Sequence, residues 1–158
     1  MANNRAFLTH DIENSLEDGE GKIAGKIYER IVTLTSAQIL DLTTPKELIP
    51  APGAGRLLEF ICAIMKHNAG TAYVEPDTAD DCVIQYDSGT DLSGDITTLG
   101  FLTVTDDEIR RVPSTLANTV DLETEVNRAI QLHNLDSEYT TGTGTLEIRI
   151  IYRLHDFS

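Results

Sequence analysis

No tryptophan occurs among the 158 residues, cysteine occurs only twice, and Lys and Arg (12) are fewer than half of Asp and Glu (26). Each shortage excludes something. A formal charge of −14 repels nucleic-acid phosphates and anionic lipid head groups, which are bound through clustered Lys and Arg. The basic residues are scattered, the densest cluster being Arg110-Arg111, so no nucleic-acid partner is expected. Phe60 to Met65 is the longest uncharged apolar run, far short of a membrane span, so no membrane partner is expected. Met1-Ala2-Asn3-Asn4-Arg5 leads into polar, acidic sequence and not an apolar signal core, so no secretory leader is expected and folding is placed in a reducing cytosol. Cys62 and Cys82 have no CxxC spacing and sit in apolar, strand-like runs. Buried thiols are expected there, and nothing in the spacing supports a disulfide.

What is present divides the chain into an acidic N-terminal arm, 1–25, and a single β domain, 26–158. The arm sequence "LTHDIENSLEDGEGKIAG" has few apolar residues. Leu8, Ile12 and Leu16 are four apart, which would give a short helix one apolar stripe, although Glu17 and Asp18 at its end oppose the helix dipole. Two readings stay open: a disordered tail, or an arm that orders only against another subunit, gripping through Phe7, Leu8, Ile12 and Leu16.

After Gly25 the pattern becomes β. "KIYERIVTL" alternates, with Ile27, Glu29, Ile31 and Thr33 on one side and Tyr28, Arg30, Val32 and Leu34 on the other. Thr35-Ser36-Ala37-Gln38 fits a capping box, and Thr44-Pro45 ends the short helix it opens. Leu57 to Met65 predicts a central strand, with Leu58, Phe60, Cys62 and Ile64 on one buried face and Leu57, Ile61, Ala63 and Met65 on the other. Shorter strands are expected at Thr71–Val74, Cys82–Tyr86 and Ile96–Val104. Thr105-Asp106-Asp107-Glu108 reads as a second capping box, opening one or two helical turns that Val112-Pro113 ends. Val120 to His133 fits helix and strand alike. "LEIRIIYRL" is an amphipathic strand with Leu146, Ile148, Ile150 and Tyr152 on its apolar face. Seven or eight short strands with only stubby helices between them predict a mainly β fold: a single antiparallel β-sandwich of jelly-roll type with one to three very short helices.

None of the chemistry-bearing motifs is complete. "APGAGRLLEF" places Gly53 and Gly55 before an apolar run, as a phosphate-binding loop does. A P-loop needs Gly-Lys-Ser/Thr at its end, and here Arg56-Leu57 follows Gly55. The dinucleotide fingerprint needs a third glycine where Leu58 stands, and a helix where a strand follows. Pro50 and Pro52 fix φ and lack N–H donors, so Pro50, Pro52, Gly53 and Gly55 read as a structural turn. Asp87, Asp91 and Asp95 recur every fourth residue around Gly89 and Gly94. That spacing is looser than an EF-hand's and fits an Asp/Ser/Gly turn better than a calcium loop. His10, His67, His133 and His155 are too dispersed for a metal set. No G-x-S-x-G occurs, and carboxylate pairs carry no signal in so acidic a chain. No cofactor and no enzymatic activity are expected.

"LTSAQILDLTTPKELIPAPGAGRLLEFICAIM", followed much later by "TGTGTLEIRIIYRL", resembles a group of small structural proteins of tailed bacteriophages. The run Leu48-Ile49-Pro50-Ala51-Pro52-Gly53-Ala54-Gly55 carries most of the likeness. The resemblance spans about Ile27 to Leu154 and leaves out the arm. It implies a compact jelly-roll sandwich and a virion component made in the host bacterial cytoplasm, foremost a capsid decoration (cement) protein. Such a protein would sit on the capsid exterior as a homotrimer, with the major capsid protein as partner. It also favours strand for Ala129–Asn134. Another reading within the group is a tail or receptor-binding module whose Asp87–Asp95 loop faces a host glycan.

Overall fold

The computed structural model describes residues 26–75, 81–115 and 121–157. The eight strands are β1 (Ile27–Leu34), β2 (Lys46–Ile49), β3 (Arg56–Ala69), β4 (Asp81–Tyr86), β5 (Ile96–Thr97), β6 (Glu108–Pro113), β7 (Ile130–Asn134) and β8 (Gly144–Asp156). Two short helices accompany them, α1 (Ser36–Leu40) and α2 (Leu122–Glu125). One sheet has the order β1-β8-β3-β6 and the other β2-β7-β4-β5, with every neighbouring pair antiparallel. Apart from β4 and β5, successive strands alternate between the two four-stranded sheets, which is the jelly-roll arrangement, so the mainly β sandwich expected from the sequence is what forms.

The core lies between the sheets. Leu146, Ile148 and Ile150 of β8 are fully buried, as the period of two in "LEIRIIYRL" requires. Opposite them lie Ile84 and Tyr86 of β4 and Ile130 and Leu132 of β7. The Tyr86 hydroxyl donates to the Leu58 carbonyl on the facing sheet. Cys82 is buried and Cys62 half-buried, and neither is joined in a disulfide.

β3 is central, paired with β8 on one side and β6 on the other. Its faces differ from the simple alternation. A register shift between Phe60 and Cys62 leaves Ile61 as an extra residue. This bulge exchanges the faces beyond it: Leu58 and Phe60 are buried before it, and Ala63, Met65 and His67 after it. Ile64, expected with Phe60 in the interior, is instead 39% exposed on the outer face.

Three other expectations are corrected. Residues Thr71–Val74 are irregular, although Tyr73 N and Val74 N donate to Leu102 O and Thr141 O. Only Ile96 and Thr97 of the third expected strand are extended; turns follow through Gly100. The second capping box does not open a helix, because Glu108–Pro113 pairs with β3. Asp107 accepts from Ala69 N at 2.8 Å instead of capping a helix. β-Branched Ile109 and Val112, with a sheet edge available, outweigh a local helix signal of one or two turns. Conversely, Lys46–Ile49 is a strand that the sequence pattern did not mark.

Candidate interaction surface

The outer face of the β1-β8-β3-β6 sheet follows from strand parity. β1 contributes Ile27, Glu29, Ile31 and Thr33, and β8 contributes Glu147, Arg149, Ile151 and Arg153. Past the bulge, β3 contributes Cys62, Ile64 and Lys66, and β6 contributes Ile109, Arg111 and Pro113. Register sets them in rows across the sheet. Ile31 lies beside Arg149, then Ile64, then Arg111. The next row is Thr33, Glu147, Lys66 and Ile109, and on the other side Glu29, Ile151, Cys62 and Pro113. Apolar and charged residues alternate across the Ile31 row, the middle of the next row is the charged pair Glu147 and Lys66, and the third row is apolar beyond Glu29.

Exposure is greatest at the two edges. Ile109 on β6 is 68% exposed, and Ile27 and Ile31 on β1 are 57% and 51% exposed. Edge strands are usually blunted by lysine, proline or a bulge, because their free N–H and C=O groups recruit other strands. β1 runs for eight residues in unbroken register with β8, without proline or lysine. β6 has Pro113 only at its end.

Charge is segregated too. The four strands of this sheet carry seven of the twelve basic residues: Arg30, Arg56, Lys66, Arg110, Arg111, Arg149 and Arg153. They carry five of the 26 acidic ones: Glu29, Glu59, Glu108, Glu147 and Asp156. Arg153 and His155 reach Glu59 at 3.2 and 2.7 Å, and Arg149 pairs with Glu147 at 2.9 Å. Arg111 has no ion pair among the described residues. Beside β6 a groove of about 310 Å³ opens between the sheets, lined by Asp95, Ile96, Thr97, Arg110, Val112 and Pro113 among others.

The singled-out residues fall in separate places. Phe7, Leu8, Ile12 and Leu16 lie outside the described residues. Pro50 and Pro52 are in the connection from β2 to β3, where Gly53 and Gly55 have φ of 101° and 74°. Gly53 N donates to the Asn127 side chain at 2.8 Å. Ile49, Pro50, Ala51 and Pro52 form one wall of a second groove, about 290 Å³, whose other walls include Tyr28, Arg30 and Tyr152.

Asp87, Asp91 and Asp95 do not converge. Asp87 pairs with Arg128 at 3.7 Å, the Asp91 backbone forms an isolated antiparallel β-bridge with Gln85, and Asp95 lies in the β5–β6 groove. The loop is held instead by Glu125, a 5%-exposed carboxylate that accepts from Ser88 and Thr90, each at 2.6 Å. Among the described residues no three His, Cys, Asp or Glu side chains are grouped to hold a metal. Sequence reasoning missed Ile109 and Arg111 because their segment read as helix. No period of two marks the segment, because each face of Ile109–Pro113 carries one arginine and at least one apolar residue.

No protein-family model matches the chain, and a search of curated proteins finds no match. Among solved structures, a chain described as "Cyanophage Pam1 capsid asymmetric unit" is similar, with 13% sequence identity and a TM-score of 0.48. The match covers 85% of this chain and 90% of that one. Likeness at this level leaves function undetermined.

Proposed function

We propose that this chain is a non-enzymatic virion structural protein, a decoration or cement protein that binds the exterior of a phage head as a homotrimer and bridges copies of the major capsid protein. The observation that carries the reading is the outer face of the β1-β8-β3-β6 sheet, where exposed Ile27, Ile31, Ile64 and Ile109 stand among charged residues; a face of that kind suits contact with other protein. Jelly rolls occur in viral capsids and lectins alike, and a fold alone does not decide between functions. The sequence resemblance to phage structural proteins favours the capsid.

The physical role is linkage. A protein that binds only the mature lattice stabilises it by RT ln(1 + [L]/Kd), about 2.7 kcal/mol per site at a hundredfold excess over Kd. Three copies held together raise effective concentration, so weak individual contacts suffice. In this reading the arm 1–25 reaches a neighbouring trimer or the capsid, with Phe7, Leu8, Ile12 and Leu16 as anchors, and its ordering offsets part of the gain.

The test adds purified protein to decoration-free expanded heads of the phage that encodes it, then measures occupancy and the temperature of DNA release. The full chain is expected to saturate the shell and raise that temperature. A chain starting at Lys26 is expected to bind more weakly and protect less. No binding by the full chain would overturn the cement reading; equal occupancy and protection by both chains would overturn the role given to the arm.

A further inference from the structure

We infer that β1 of one copy pairs antiparallel with β6 of a second copy, extending the β1-β8-β3-β6 sheet from molecule to molecule. The inference rests on the homo-oligomer part of the reading above and not on its capsid part.

Direction allows it. Within the sheet β1, β8, β3 and β6 alternate in direction, so β1 of another copy, placed beside β6 in the same orientation, is antiparallel to it. One register matches the outer faces. Opposing Glu29 with Arg111 sets Ile31 opposite Ile109 and Ile27 opposite Pro113. Three exposed isoleucines thereby gain apolar neighbours, and Arg111, which has no ion pair among the described residues, gains a carboxylate. Opposite charges and apolar pairs facing each other across strands are the arrangement that stabilises a sheet.

The inner face offers a second match. In the same register Tyr28, 36% exposed and stacked on Tyr152 of its own sheet at 5.5 Å, comes opposite Val112, beside the groove between β6 and β5. Ile96 and Val112 are among the apolar residues that line that groove. Arg30 would meet Arg110, the one unfavourable opposition. Arg110 already lies over the Phe101 ring, 4.8 Å from its centroid, and Asp95 in the same groove supplies a countercharge. The interface joins two different patches, so it generates a closed ring where its rotation allows and not a two-fold dimer.

Cysteine trapping reads this directly. In a Cys62→Ser background, a tagged Ile31→Cys chain is co-expressed with an Ile109→Cys chain and oxidised, while light scattering reports the mass of the unmodified protein. The expected result is an oligomer in solution, with 31–109 disulfides in the co-expressed sample and none when either variant is made alone. Glu29→Arg and Arg111→Glu are each expected to weaken self-association on the order of tenfold, and their combination to restore it. An oligomer without 31–109 links, or Ile31→Cys linking to itself, would overturn the interface while leaving the homo-oligomer intact. A monomer at every concentration would overturn both.

Discussion

Gly144 opens β8 at a point where no side chain fits. A Cβ there would lie 2.6 Å from the Asn68 carbonyl oxygen and 3.2 Å from His67 Nε2, and its φ of 125° is one that other residues rarely adopt. The threonine–glycine run before β8 is thus a close approach of backbones more than a loose turn. Gly144→Ala is expected to cost more than about 2 kcal/mol, from strain and overpacking together, read as a lower urea midpoint with an unchanged slope. Beneath Gly144, His67 is completely buried against Tyr73 and Phe101, and neither ring nitrogen makes a hydrogen bond of normal geometry. Burial pushes its pKa below the ordinary 6.5, partly offset by the Phe101 backbone and by Asp107 and Glu108. The unfolded chain therefore binds a proton near pH 6.5 that the folded chain accepts only at lower pH. Stability is greatest above that value and falls as pH drops below it towards the folded pKa. The melting temperature of His67→Phe is expected to fall less steeply than wild type below about pH 6.5. Parallel curves for the two proteins would remove His67 as the source.

Two similar capping sequences behave differently as elements. At Thr35 the capping box is complete: Gln38 N donates to the Thr35 hydroxyl at 3.4 Å, and Thr35 N donates to the Gln38 side chain at 3.0 Å. α1 follows and buries Ile39. Thr35→Ala is expected to cost about 1 kcal/mol, measurable by denaturant titration, whereas Thr105→Ala, where no helix forms, is expected to be nearly silent. Local signals alone did not separate the two, because the outcome was decided by β3, forty residues away in sequence, offering β6 a ladder. β8 was legible because its alternation is unbroken and its turn is marked by glycine. The faces of β3 were not, since a bulge at Ile61 carries no composition signal in a run of apolar residues. β2 was hidden for a related reason: four residues next to Pro45 and Pro50 are too few to show a period.

For the whole molecule, the architecture was more legible than the surface. Many short apolar runs separated by Gly, Pro and Asp turns, with only very short helical signals between them, leave few alternatives to two packed sheets. The face proposed here to meet a partner was not legible. Outer-face residues become neighbours only through register, as Ile31, Arg149, Ile64 and Arg111 do across four strands far apart in sequence. The arm residues Phe7, Leu8, Ile12 and Leu16 stay an expectation, tested by the shortened chain on capsids.

The uneven placement of charge has a consequence for encounter. One sheet holds a small positive excess while the rest of the chain supplies more than the whole of the −14. Two identical molecules approaching in dilute buffer are turned by each other's fields before they touch, positive sheet towards acidic flank. Such turning favours head-to-tail meetings over face-to-face ones. At physiological ionic strength the fields fade within about 8 Å, so in the proposed assembly salt would govern how quickly copies find one another more than how firmly they hold.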